Sequence, residues 1–403
     1  MSDLNRTQTL KGLRVLEFTH AVLGPACGML LSEMGAEVIH IEPPHGDSTR
    51  RLKGFGMGYF PYFNRGKKSI AVDLKTPEGL EIIHKLLETA DVLVENFGPG
   101  TMTRLGLGAE ALQAQYPDLI YCELKGFLPG PYQHRTALDE VVQMMSGLAY
   151  MTGPSGQPLR AGASVIDVMT GMMGVIGVLG ALQTRAQTGK GQHIRSALFE
   201  TAAFLMGHHM SYAAITQTPV PPMPERVSAW AIYHKFQTAD SRQVFIGVTS
   251  DKQWLRFCEE FDQSEWANDH RLATNNARID ERDWFLPAVR ELIKKLPLDD
   301  VLARCESAGI PFSPIARPED LFTDSQLLGG GSLIETGLPD GRITKLPRLP
   351  ILFDEAEGPA GSSVSAATAP EIGAHTHAIL AQLGYSDEEI RAFAASRIII
   401  LSN

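Results

Sequence analysis

Cysteine is scarce in this chain: Cys27, Cys122, Cys258 and Cys305 are scattered singly through 403 residues. No CxxC pair and no metal-ligand spacing occurs, which excludes a disulfide framework and the common zinc modules. We read the four as reduced, mostly buried thiols. Basic residues are in deficit, 36 against 46 acidic ones, for a net charge of −10. Nucleic acid and anionic membrane surfaces call for a basic face, so neither is an expected partner. The polar start, Met1 to Leu10, lacks the charged-then-apolar pattern of an export signal, and the cytoplasm is the expected address. A membrane-length apolar run is also lacking. Val168 to Leu182 (VMTGMMGVIGVLGAL) carries no charge for fifteen residues, but it is short for a span, and Gly171, Gly174, Gly177 and Gly180 give it a smooth face. A buried core helix is expected there.

Several catalytic signatures are missing too. There is no GxSxG elbow, Walker loop or HExxH, which removes the common hydrolase, NTPase and zincin readings. The first βα turn, His20 to Pro25, has no glycine triplet. Gly98-Pro99-Gly100 is followed by Thr103 where a third glycine would stand, and Gly106-x-Gly108-x-x-Ala111 follows no strand. A nicotinamide or flavin cofactor is therefore not expected. His208-His209 and His375-x-His377 provide too few ligands to argue for a metal, and none is expected.

What is present is alternation. Arg14 to Phe18, Glu37 to Ile41, Ser69 to Asp73, Asp91 to Glu95 and Leu119 to Leu124 read as strands. Helical patterns at Ala26 to Met34 and Pro77 to Thr89 separate them, with Gly35 ending one and Pro77 opening the other. This predicts an α/β fold: a large Rossmann-like parallel-sheet domain without a dinucleotide motif, plus a smaller α+β domain. Four prolines in Thr216 to Arg226 mark the linker. The expected divisions are 1–220, a small α+β domain 221–320, and a return segment 321–403 that completes the large domain. In the small domain, Tyr233 to Phe236 and Val244 to Val248 read as a hairpin, followed by helices near Lys252 to Phe261 and Trp284 to Lys295. A helical pair from about Glu371 to Ala395 closes the chain.

Anion handling is signalled by Arg65, Lys67 and Lys68 just before one strand and Lys75 just after it, a basic cluster that either meets a phosphate or is simply solvated. Asn96-Phe97-Gly98-Pro99-Gly100 ends the next strand and Arg104 follows. Strand ends are where open α/β sheets bind ligands, so Phe97 could cover a base while Arg104 pairs with phosphate.

Four segments in order resemble the family III CoA-transferases, the group of the formyl-CoA, carnitine and bile-acid-inducible transferases. They are LKGLRVLEFTHAVLGPACGMLLSEMGAEVIHIE, NRGKKSIAVDLKTPEG, ADVLVENFGPG and RAQTGKGQ. The resemblance implies a CoA site formed by the backbone of Ala21, Val22 and Leu23, with Val72 lining the adenine and with Lys75, Asn96, Phe97 and Arg104. Pro43 and Ala137 stand where the family carries an arginine and a lysine. It implies Asp167 as nucleophile, attacking an acyl-CoA thioester to give a mixed anhydride and then an aspartyl-CoA thioester. The plainer alternative is that Asp167 caps the apolar helix. The helix N-terminus favours its ionised form, and Ile166 and Val168 would exclude water. No permanent cofactor is implied; coenzyme A enters as the acyl-CoA donor, with a carboxylic acid as acceptor.

The related alpha-methylacyl-CoA racemases carry a histidine just before the residue matching Asp139; Leu138 stands there, which removes half of an acid–base pair, so proton transfer at carbon 2 is the runner-up. A non-catalytic CoA-binding protein is the third reading. The stretch LKGFLPGPYQHRTALDEVVQMMSGLAYMTGP resembles transferases of short branched dicarboxylates such as mesaconate and itaconate, with an intramolecular transfer in mesaconyl-CoA as one form of the reaction. A second carboxylate would call for a cation, and Arg50, Arg51, His134 and Arg135 are the candidates. By the same resemblance the enzyme is an interlocked homodimer.

Overall fold

Buried apolar runs decide the strands. In the computed structural model, which describes residues 9–226, 228–352 and 367–402, the runs RVLEF, EVIHIE, KSIAV, VLVE and IYCELK form β1 (Arg14–Phe18), β2 (Glu37–Glu42), β3 (Lys68–Val72), β4 (Val92–Glu95) and β5 (Ile120–Lys125). A strand covered on both faces needs such continuity, because alternation would bury polar side chains. Sequence reading did not find β6 (His193–Ala197), whose HIRSA run is largely half-exposed, nor the two-residue β12 (Ile399–Ile400).

These strands make a seven-stranded sheet in the order β12-β3-β2-β1-β4-β5-β6. All neighbours are parallel except β12, which runs antiparallel along β3. The order reverses between β1 and β4. At such a switch point the crossover connections leave in opposite directions and open a crevice at the carboxyl ends of the strands.

Two apolar layers cover the sheet. One joins Ile82, Ile83 and Leu86 of the helix Pro77–Leu87 to Ile379, Leu380 and Ile390 of the closing helical pair, Thr376–Gln382 and Asp387–Ala395. The other gathers Leu23, Cys27 and Leu31 of the first helix (Leu23–Glu33) with Ile166, Val175 and Val178 of the glycine-rich helix (Val165–Thr188). The glycines explain this closeness. A Cβ at Gly171 would lie 3.0 Å from the Leu23 carbonyl oxygen, one at Gly174 would lie 3.2 Å from Cys27 Sγ, and one at Gly177 would lie 2.6 Å from Ile194. Because spacing of three drifts around a helix, the glycines meet the first helix, β5 and β6 in turn. The outer face of this helix is not covered: Met172, Ile176 and Leu179 are exposed, so it is half buried rather than the core helix its sequence suggested. It is the one described helix long and apolar enough to cross a membrane.

The chain divides into two units, Met1–Pro224 with Ser325–Asn403, and Glu225–Asp324. The first also contains the ribbon of β10 (Leu333–Gly337) and β11 (Ile343–Pro347). In the second, β7 (Ile232–Gln237), β8 (Gln243–Val248) and β9 (Phe312–Pro314) form an antiparallel sheet. Trp254, Phe257, Phe285 and Val301 fill its own core. All four cysteines are free and buried.

Candidate active site

The first turn after β1 is held in an unusual shape. Ala21 adopts φ 63°, the left-handed region that a side chain rarely enters. Asn96, at the end of β4, fixes it from across the switch point: its Oδ1 accepts from His20 N at 2.9 Å, and its Nδ2 donates to His20 O at 2.9 Å. Gly24 lets these pieces close, since a Cβ there would lie 2.5 Å from Thr19 and 3.0 Å from Asn96 Cγ. The first helix then begins at Leu23 with no side-chain cap on its N-terminus. Uncapped N–H groups at a strand end make an anion site.

Beside this turn lies a cavity of 370 Å³ whose lining includes His20, Pro43, Val72, Lys75, Phe97 and Thr101. Three of the expected CoA contacts, Val72, Lys75 and Phe97, thus share one pocket, and Phe97 stacks on His20 at 5.9 Å between ring centroids. Asn96 shapes the turn rather than lining the cavity, and Arg104 is exposed, donating to Thr101 Oγ1 at 2.9 Å.

The rest of the basic cluster has neither of its expected fates. Arg65 is buried and bonds Glu33 Oε1 at 2.9 Å through Nε. Lys67 is fully buried, donating to Glu17 at 2.8 Å, Pro25 O at 3.0 Å and Asn64 Oδ1 at 3.0 Å. Lys68 pairs with Glu37. Arg65 and Lys67 are therefore neither solvated nor free for a phosphate and lock the first helix in place, while the half-exposed Lys68 ties β3 to β2. Glu17 also contacts His40 Nδ1 at 3.0 Å, and His40 Nε2 lies 3.6 Å from Asp47, which lines the cavity. Burial alone would depress the His40 pKa, but the neighbouring carboxylates of Asp47 and Glu17 outweigh it and push it up to about 9.

Asp167 is the third residue of the glycine-rich helix, whose N-cap position is Ser164. It is not the cap. That role falls to Asp139, whose Oδ2 accepts from Ile166 N at 2.8 Å and Asp167 N at 3.0 Å. Gln143 steadies this arrangement by donating to Asp139 Oδ1 and accepting from Ala161 N. Asp167 precedes Gly171 by four residues and so shares its face, the face pressed on Leu23 and Cys27. Both helices begin at the carboxyl edge of the sheet, one directly after β1 and the other running back to feed β6. Asp167 therefore lies one turn ahead of the point where its helix packs on the first helix. Burial raises its pKa, Asp139 raises it further and Arg160 opposes them, leaving it at about 7.

Arg160 was not among the cations singled out in the sequence. It bonds Glu140 at 2.6 Å and sits 3.9 Å from Asp139. Of those that were, Arg50 is engaged by Glu42 at 2.6 Å, Arg51 donates to His45 O, and Arg135 lies over the Tyr132 ring. His134 lines a separate 200 Å³ hollow with Lys125 and Arg195. The signal that could have found Arg160 is its place in the loop seven residues before Asp167. Of the weak metal candidates, His375 Nδ1 accepts from Ser69 N and His377 meets Asp387.

The profile of CoA-transferase family III matches residues 10–376. A succinate–glutarate CoA-transferase from Agrobacterium fabrum is 34% identical, covering 95% of this chain and 98% of its own. The human succinyl-CoA:glutarate CoA-transferase is 30% identical over 99% and 91%. A succinyl-CoA–D-citramalate CoA-transferase from Chloroflexus aurantiacus is 31% identical over 99% and 100%. Among solved structures, a CaiB/BaiF family protein from Brucella suis superposes with a TM-score of 0.80 at 34% identity, covering 94% of this chain and all of that one. With the family profile matched over most of the chain and relatives aligned along nearly its whole length, the chain belongs to CoA-transferase family III.

Proposed function

We propose that this enzyme moves CoA between short dicarboxylic acids, with Asp167 as the nucleophile. The observation that carries the reading is the Asp167 carboxyl in the first turn of a helix that Asp139, not Asp167, caps. A carboxylate used as a cap spends its lone pairs on backbone N–H groups; this one keeps them. An ionised Asp167 oxygen adds to the thioester carbonyl, the C–S bond breaks, and CoA leaves as thiolate, giving a mixed anhydride. The thiolate then attacks the Asp167 carbonyl carbon, the first acid departs as carboxylate, and an aspartyl-CoA thioester remains. An acceptor carboxylate reverses these steps. A pKa near 7 leaves a usable ionised fraction at neutral pH, and the proton-poor form is a stronger nucleophile than an ordinary carboxylate.

CoA lies in the cavity of Val72, Lys75 and Phe97, with backbone N–H groups of Ala21, Val22 and Leu23 turned to it and Arg104 at its rim. The dicarboxylate class is supported by relatives named for succinate, glutarate, malate and citramalate. Mesaconate and itaconate are its branched members to test first, including C1-to-C4 transfer within mesaconyl-CoA. Arg160 joins Arg50, Arg51, His134 and Arg135 as a candidate for the second carboxylate. The exposed Met172, Ile176 and Leu179 share a helix face with spacing suited to a second copy, which supports a homodimer. Free thiols suit the cytoplasm.

The test is trapping. Protein turning over succinyl-CoA, glutaryl-CoA or mesaconyl-CoA is quenched with hydroxylamine or borohydride, and the Asp167 peptide is weighed. Modification of Asp167 is expected; an unmodified Asp167, or label on Asp139, refutes the mechanism. Deuterium entering carbon 2 without any acid acceptor would instead indicate a racemase.

A further inference from the structure

β4 stops at Glu95, and Asn96 and Phe97 lie beyond it in neither helix nor strand. Backbone polar groups that leave a ladder must find other partners, so the peptide groups of Phe97 have to be accounted for. Two side chains take them up. Phe97 N donates to Glu95 Oε2 at 2.8 Å, and Phe97 O accepts from Lys125 Nζ, at the end of β5, at 2.6 Å. The same two side chains hold one another, with Lys125 Nζ 2.5 Å from Glu95 Oε1 and 2.7 Å from Oε2. One ion pair thus clamps the backbone of Phe97 on both sides. The Glu95 side chain is 2% exposed and that of Lys125 16%, so solvent screens the pair little. Glu123 lies 3.8 Å from Lys125 as well, but it already bonds His193 at 2.9 Å and Arg195 at 3.2 Å.

We propose that Lys125 is a positioning residue for CoA, which sets the Phe97 ring over the nucleotide base through this clamp. The proposal rests on the reading of the 370 Å³ cavity as the CoA site. Fixing both peptide groups of a residue fixes the direction of its Cα–Cβ bond, and an aromatic ring then has few rotamers left to it. Phe97 lines the cavity and stacks on His20 at 5.9 Å between ring centroids. Lys125 does not line that cavity, so its effect on CoA passes through Phe97. The plainer role for such a lysine is to satisfy a carbonyl beyond a strand end. That role would support the fold as a whole and would not distinguish one part of the ligand from another. A clamp on Phe97 acts on the nucleotide and leaves the thioester end alone.

The test compares succinyl-CoA with succinyl-pantetheine, which carries the same thioester but no nucleotide, as donors to glutarate with the full-length protein. Lys125→Met alone would leave the Glu95 carboxylate buried and unpaired. The variant used is therefore Glu95→Gln/Lys125→Met, in which the amide oxygen still accepts from Phe97 N, with Lys125→Gln as a gentler one whose shorter side chain cannot make all three bonds. The KM for succinyl-CoA is expected to rise about tenfold in the first, within what a base–aromatic stack contributes, and severalfold in the second. The kcat with succinyl-CoA and the kcat/KM with succinyl-pantetheine stay unchanged. In a Phe97→Ala background neither variant raises KM further. Equal losses with both donors would show a loosened fold and overturn the proposal. So would an effect that survives in full in the Phe97→Ala background, which would put Lys125 on the ligand directly. A normal KM for succinyl-CoA in Phe97→Ala refutes the nucleotide cavity, and the proposal with it. A raised KM there beside normal values in both Lys125 variants overturns the role of Lys125 alone.

Discussion

Asp139 Oδ2 accepts a hydrogen bond from the backbone N–H of Asp167 at 3.0 Å, so one carboxylate caps the helix turn from which the other projects. Two consequences oppose each other. The cap frees the Asp167 side chain for chemistry, while its negative charge makes that side chain harder to ionise.

Replacing Asp139 by asparagine separates these effects. The amide oxygen still accepts from Ile166 and Asp167, so the helix start survives at the loss of the bond from Gln143, but the charge is gone. The acid limb of the kcat/KM profile, set by Asp167 near pH 7, is expected to move to lower pH by about one unit. A limb that stays in place would assign the titration to another group.

Asp167→Asn should abolish CoA transfer while making the fold more tolerant of alkali. In the folded protein the Asp167 pKa is raised from 3.8 to about 7, so the native state holds a proton that the unfolded chain has lost. Stability therefore falls as pH rises across that interval. Urea midpoints of the two proteins should coincide near pH 4 and diverge by pH 8, with the variant more stable by on the order of a few kcal/mol.

His40 has the opposite sign. Its pKa is raised from 6.5 to about 9, so its charged form supports the fold fully below pH 6.5, and that support is lost as pH climbs through 9. Asp47, held at about 2 by His40 and Thr49 against the effect of burial, loses its share only in strong acid. In urea titrations the stability gap between the protein and His40→Gln should be widest between those limits and narrow steadily towards pH 9. A gap independent of pH would mean that the ring acts by packing alone.

Lys75→Ala tests the nucleotide cavity. Lys75 is exposed, lines the pocket and has no ion-pair partner among the described residues, so the fold does not depend on it. The KM for acyl-CoA should rise roughly tenfold with kcat little changed, the pattern of a contact made equally in ground and transition states. Salt should weaken CoA binding less in the variant.

The parallel sheet was legible in the sequence because strands covered on both faces must be continuously apolar, as in Arg14–Phe18 and Val92–Glu95. β6 was not, because its HIRSA run is neither apolar nor alternating. Asp167 could be singled out as a candidate from the family resemblance, but its capping by a residue 28 positions earlier follows from tertiary packing, and local patterns of side chain and spacing do not encode it. The basic run Arg65 to Lys68 misled for the same reason: Glu33, Glu17 and Glu37, which neutralise it, lie up to 50 residues away. Charge counted along a chain says nothing of charge paired across a sheet.

Gly171 links the fold to the site most directly. It sits one turn after Asp167, and a Cβ there would lie 3.0 Å from Leu23 O, 3.1 Å from Cys27 N and 3.2 Å from Ala26 Cβ. Two of these are backbone atoms of the first helix, which cannot swing aside as a side chain can. Gly171→Val adds two further carbons to that contact, so the helices must part. Overpacking of this kind costs about 1–3 kcal/mol, well within what a chain of this size tolerates. Asp167 rides on the displaced helix while the first turn stays clamped by Asn96, so the distance between nucleophile and bound thioester grows. Misplacement by about 1 Å is enough to cost on the order of a hundredfold in rate. The variant should therefore stay folded by circular dichroism and bind CoA with near-normal affinity, yet lose most of its kcat. Loss of CoA binding in parallel with kcat would show that the turn moves with the helix, and that the two are not the independent parts described here.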